Sequence, residues 1–411
     1  MELYGSSGFR SKNEMLNYYL TFALLAILCI PHNVAYYTLS RLLNVAELAA
    51  LAWSLLIFAK SRIYGVRKLW PIWAWIAWIA VATVINRTDY ILAFRLAGNI
   101  FSACTLSYYA IRRNGTRFIK HFCMLLAAEI AIQCLTAVTH VFGRVVDPNG
   151  AFENNYFFGI RVEFNRIFIY AVTLCLIYAQ RRGVTSKLVF AVAAAGGLYF
   201  VLSEDLSMGI GTFAIFVAVV LAAAFIQRNA DYRRVMVIAL GFSMLFNLTV
   251  GSFAYAFDWL FNSLLHESLT LNGRTYLWQS ALSQMHGWHW LFGNGYGHDF
   301  LFVIVTRNNW RASTAHSQYI NSLFCFGLVG LALYINICRL EIREIANKPM
   351  NMIKRILLAG FVAKTVMGIA TTTYNTLYMY VLYVCIMTYD QSVGRYDRAS
   401  RNQPEILRNA R

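Results

Sequence analysis

Long apolar runs, more than any motif, limit what this chain can fold into. Twelve of them occur, near residues 15–31, 42–58, 69–85, 91–111, 122–142, 165–180, 188–202, 208–226, 235–253, 316–337, 356–371 and 376–390. A helix of about 20 apolar residues crosses the hydrocarbon core of a bilayer, so each run reads as a candidate span. Only 13% of the 411 residues are charged and 59% are hydrophobic, against about 25% charged in soluble proteins, which excludes a soluble domain. The expectation is an all-α polytopic membrane protein of about 12 transmembrane helices, forming a single transmembrane domain over residues 1–411. The first run lacks a small-residue cleavage site and reads as an uncleaved span.

The formal charge of +17 suggests an acidic partner only until the basic residues are placed. Of 36 lysines and arginines, 26 lie in the C-terminal tail and in alternate connections counted from the N-terminus, among them Arg67, Lys68, Arg112, Arg113, Arg233 and Arg234. Cytoplasmic connections carry such an excess, so both termini are expected in the cytoplasm, and the charge reports topology rather than nucleic acid. Nine of the other ten face outward, and all nine are arginines: Arg41, Arg87, Arg95, Arg144, Arg161, Arg166, Arg274, Arg307 and Arg311. A planar guanidinium fork suits a diphosphate better than an ammonium does. Seven of the eight histidines also lie on or near the outer side, so chemistry is expected there.

Two outer connections are long, about 143–164 and 254–315, and the second is expected to form a loop subdomain between the ninth and tenth helices. Within it Trp278, Ala281, Leu282 and Met285 recur at helical spacing. They predict an amphipathic helix over residues 275–286, capped by Asn272, ended by Gly287 and lying on the outer membrane surface. Arg274 stands in its first turn, where backbone N–H groups and the helix dipole favour an anion, making a candidate phosphate site. A salt bridge to Glu267 or Asp258 is the alternative. Gly293, Gly295 and Gly297 alternate in a segment that follows no strand, which excludes a dinucleotide-binding loop and leaves a turn able to approach a ligand closely. His286 and His289 have metal-ligand spacing without a third ligand, and all eight cysteines lie in or at the ends of apolar runs. Neither a metal, a cofactor nor a disulfide framework is expected. His316 opens the tenth run with Tyr319, Ile320 and Leu323 on its face, and at the water boundary its pKa is expected near neutrality, where imidazole accepts a proton. Gly327 and Gly330 follow, allowing close helix packing.

Gly273-Arg274 with Trp278, then Leu291-Phe292-Gly293-x-Gly295, then Ala315-His316-Ser317, then Gly327-Leu328-Val329-Gly330 resemble, in order and spacing, the signature of the O-antigen polymerase and O-antigen ligase family. The resemblance covers about residues 270–331 in motif and the rest of the chain in topology alone. It implies a metal-independent, inverting glycosyltransferase of the bacterial inner membrane, acting at the periplasmic face on glycans carried by undecaprenyl diphosphate. By motif position it implies catalytic roles for Arg274 and His316, with Arg161 or its competitor Arg166 as a further diphosphate ligand. Gly273, Trp278, Gly293, Gly295 and Tyr319 would shape and pack the site. Ser203-Glu204-Asp205 stands where relatives often show a serine-arginine pair, so no third arginine is implied there.

The partners so implied are the lipid-linked donor, a lipid-linked glycan or lipid A core as acceptor, membrane lipids and a chain-length regulator. Polymerisation of repeat units is favoured because the loop shows nothing dedicated to a second lipid acceptor; ligation to lipid A core would use the same donor, arginines and histidine. A transporter or flippase would instead use ionisable residues inside the spans, for which Glu47, Glu129 and Lys364 are the candidates, but no internal repeat is evident.

Overall fold

A computed structural model describes residues 11–30 and 40–388, apart from 142, 147–151, 158, 182, 205, 226–230, 253–273, 297–301, 305–309, 313 and 350. Helix α1 (Lys12–Cys29) begins at Ser11, whose Oγ accepts from the Glu14 amide at 3.2 Å. Next come α2 (Ser40–Lys60), α3 (Trp70–Asn86) and α4 (Tyr90–Thr139). At 50 residues, α4 would extend about 75 Å if straight, far more than one bilayer crossing needs, and it is broken at Asn114 (φ −156°, ψ 80°). There Asn114 Oδ1 accepts from the Arg117 amide at 3.0 Å and caps the second half. The connection expected between the fourth and fifth runs is thus helical on both sides of one asparagine.

The chain continues through α5 (Arg161–Ala179), α6 (Val184–Ser203), α7 (Ser207–Phe225) and α8 (Tyr232–Ser252). The outer-loop helices α9 (Arg274–Ser283) and α10 (His289–Phe292) precede α11 (Gln318–Ala346), α12 (Met352–Met367) and α13 (Leu377–Met387). A helix therefore occupies each of the twelve apolar runs. Among the described residues, six helices are long and apolar enough to cross a membrane, and three more are apolar but shorter. Leu42, Leu56, Ile91, Ile238 and Phe242 point away from the bundle, as lipid-facing residues do.

Short strands, which helical periodicity does not reveal, lie in the two long connections. β1 (Arg144–Val146) pairs with β2 (Phe152–Tyr156), which pairs with β3 (Gly159–Ile160), and β4 (Phe302–Ile304) pairs with β5 (Trp310–Ala312), all antiparallel.

Helix α4 is the hub, packing against α1, α2, α3, α5, α6 and α13, while α12 packs against α5, α7 and α8. The ionisable groups inside the spans are partnered. Arg95, counted above among the outward arginines, instead grips Glu47 with two bonds, Nε to Oε2 at 2.8 Å and Nη2 to Oε1 at 3.1 Å. Lys364 forms a buried ion pair with Glu341, and Glu129 Oε2 lies 2.8 Å from the Tyr378 hydroxyl.

Candidate functional site

Helix α9 confirms the stripe seen in the sequence but not its expected partner. Thr275, Leu277, Trp278, Ala281 and Met285 are buried in the protein, against α8 and α11, so this side is not presented to a membrane surface. Burying an indole requires a partner for its N–H, and Trp278 Nε1 donates to the Ala315 carbonyl at 2.9 Å. That bond ties the helix bearing Arg274 to the residue before His316. Gly273, Gly297 and the expected Asn272 cap lie outside the described residues.

His316 sits immediately before α11 in a left-handed conformation (φ 46°). Its neighbours are fixed on both sides. The Ala315 amide donates to Asn321 Oδ1 at 3.2 Å, while Ser317 Oγ caps α11 by accepting from the Ile320 amide at 3.3 Å and donates to Asn247 Oδ1 of α8 at 3.1 Å. The imidazole makes no hydrogen bond among the described residues, leaving it available to a ligand. Burial, then the charges of Arg166 and Arg274, push its pKa down to about 4. The expected near-neutral value is therefore corrected: partial burial and the charges of Arg166 and Arg274 disfavour the protonated imidazole.

Arg274 opens α9, and burial lowers the pKa of its guanidinium. Arg166 lies on α5 and its charge also bears on the Tyr296 phenol. Three residues from separate regions, Arg166, Arg274 and His316, thus share one electrostatic site. Arg161 is the first residue of α5, and its side chain lies outside the described residues.

Beneath His316 is a polar layer that sequence reasoning missed. Between α12 and α13 the backbone is irregular and buried, and Gln318 fills the break: its Oε1 accepts from the Thr373 amide at 2.6 Å and the Tyr374 amide at 2.9 Å, and its own amide donates to the Gly368 carbonyl at 2.8 Å. Non-helical backbone at membrane depth is tolerated where protein satisfies it in this way. The run Thr371-Thr372-Thr373 beside Asn375 was the available signal, since hydroxyl residues interrupt an otherwise apolar segment. Tyr319, expected as a packing residue, is fully buried and its hydroxyl donates to the Thr365 carbonyl at 2.8 Å, joining α11 to α12.

The glycine turn closes on the middle of α11. Helix α11 breaks at Gly327 (φ 66°), which frees the carbonyls before it. The Asn294 amide reaches Phe324 O at 2.8 Å, the Gly295 amide reaches Cys325 O at 2.9 Å, and Trp78 Nε1 of α3 reaches Phe326 O at 2.8 Å. A Cβ on Gly293 would lie 2.4 Å from the Cys325 carbonyl, and one on Gly327 would lie 2.2 Å from the Leu291 carbonyl. A Cβ on Gly295 would lie 2.5 Å from Thr88 Oγ1. The turn thus packs closely against protein and caps a broken helix. His289 Nδ1 lies 3.1 Å from the Gly293 carbonyl within the same turn.

No protein-family model matches the chain, and no curated protein matches it.

Proposed function

We propose that this protein is a bacterial inner-membrane glycosyltransferase that polymerises undecaprenyl-diphosphate-linked oligosaccharide repeat units, O-antigen or a similar surface polysaccharide, at the periplasmic face. The observation that carries the reading is the shared field of Arg166 and Arg274 on a histidine whose imidazole makes no hydrogen bond among the described residues. A diphosphate needs cationic forks, and an acceptor hydroxyl needs a proton acceptor beside the donor's anomeric carbon.

In the proposed reaction the acceptor oxygen attacks the anomeric carbon as the bond to the diphosphate oxygen breaks, inverting the centre. Undecaprenyl diphosphate leaves with the bonding electron pair, held by Arg166 and Arg274, and the hydroxyl proton passes to the His316 imidazole. Without donor, the two guanidinium charges oppose protonation of His316. A bound diphosphate offsets those charges and raises the imidazole's basicity, so the base becomes effective when the donor is in place.

The test is incubation of the purified protein with lipid-linked single repeat units, followed by sizing of the glycan. A ladder of longer chains is the expected product. Unchanged single repeats, with transfer only when lipid A core is supplied, would assign ligation instead. Absence of transfer under both conditions would remove the glycosyltransferase reading.

A further inference from the structure

At the end of the bundle remote from His316 is a cavity of about 270 Å³, roughly nine times the ≈30 Å³ that a water molecule occupies in the liquid. Its walls are residues 66–69, Tyr108 of α4, and Met387 and Thr388 at the end of α13. Glu344, beside it on α11, is 26 residues beyond Gln318, up to about 39 Å along that helix, so the cavity is separate from the site already described. Its occupant must answer a positive field. The last carbonyls of α13 have cationic partners, Lys68 Nζ at 3.5 Å from Met387 O and Lys348 Nζ at 3.2 Å from Ile386 O, and Lys68 also pairs with Glu344 at 2.7 Å. Arg67 lines the cavity, is exposed, and pairs with no carboxylate among the described residues. Arg112 donates to the Tyr108 hydroxyl at 3.3 Å, which brings a second exposed guanidinium to the wall. Beside this cationic opening, Trp70 and Tyr64 are 60% and 52% exposed, with the Trp70 indole N–H donating to the Tyr64 carbonyl at 3.1 Å. Exposed aromatics of this kind mark the level of lipid headgroups.

We propose that this cavity binds the phosphate headgroup of an anionic phospholipid, with Arg67 and Arg112 as its cationic ligands. A phosphodiester supplies an anionic partner, which neither guanidinium has among the described residues, and its acyl chains lie along the apolar surface beyond Trp70. A soluble phosphate ester shares the headgroup chemistry; the aromatic rim favours the lipid.

The experiment follows thermal unfolding of the purified full-length protein in neutral detergent, titrated with phosphatidylglycerol, with phosphatidylcholine and with inorganic phosphate. Phosphatidylglycerol is expected to raise Tm selectively. Arg67→Ala is expected to weaken its apparent affinity about fivefold, the contribution of one cation near a membrane surface. Arg233→Ala, which removes an exposed arginine elsewhere on the chain, is expected to leave the affinity unchanged. Should Arg67→Ala not survive purification, Tyr108→Phe removes the hydroxyl that holds Arg112 and must weaken the same lipid. Equal stabilisation by phosphatidylcholine, equal losses in Arg67→Ala and Arg233→Ala, or reproduction of the shift by inorganic phosphate at the same phosphate concentration would each overturn the lipid assignment.

Discussion

The left-handed backbone of His316 (φ 46°) shapes how that residue can be tested. Alanine there would carry roughly 1–2 kcal/mol of backbone strain, whereas asparagine adopts this region readily. His316→Asn is therefore expected to lower turnover by about 10²–10⁴ while leaving detergent Tm close to wild type; normal turnover in the folded variant would remove the imidazole from the mechanism. The charge on Arg166 gives a second outcome. A neighbouring cation disfavours the protonated imidazole, so Arg166→Gln must raise the His316 pKa from about 4 toward its ordinary value. In a pH profile of kcat/KM, the acidic limb should move upward with it, on top of any loss in rate. A limb that stays in place would mean that this charge does not govern the base. His316 and Arg274 could be picked out in the sequence from their places at helix starts within the motif, and Arg166 only as a competitor of Arg161. Gln318 could not, since an uncharged amide gains meaning only from the backbone amides of Thr373 and Tyr374, 55 and 56 residues away, to which it bonds.

Two interruptions shape the helices around these residues, the break at Gly327 within α11 and the irregular stretch between α12 and α13. Sequence hydropathy locates the apolar helices among the described residues, but it treats Gly327 as a small residue for helix packing, because nothing local distinguishes a helical glycine from one at φ 66°. The partner turn around Gly293 is equally ambiguous until α10 and α11 are brought together. Gly293→Ala and Gly327→Ala combine a left-handed φ with direct backbone overlap, so each is expected to cost more than about 2 kcal/mol, read as a lower detergent Tm. Gly211 and Gly241, in α7 and α8, have nothing within 4 Å of a built Cβ; alanine there should be neutral or stabilising by up to about 1 kcal/mol. Similar Tm losses in both pairs would mean that the turn does not close on α11 as described.

For the whole molecule, the concentration of 26 of the 36 basic residues in the C-terminal tail and alternate connections predicts the orientation. A reporter enzyme active only outside the cytoplasmic membrane should work when fused after Asn272 and fail when fused after Arg395, and the reverse pattern would invert the topology. The caps on α11 also impose an order on biogenesis. The turn at Asn294 and Gly295 leaves the ribosome before α11 does, so the amides that cap the break are waiting when Phe324 and Cys325 arrive. Gln318 has no such advance partner. At roughly 5–20 residues per second, about 3–11 s pass between its synthesis and that of Tyr374. During that interval a polar amide destined for the bundle interior must stay hydrated or be sheltered by the insertion machinery. A nascent chain arrested before residue 373 should therefore be engaged by membrane chaperones at the start of α11 and released once Thr373 and Tyr374 have been made.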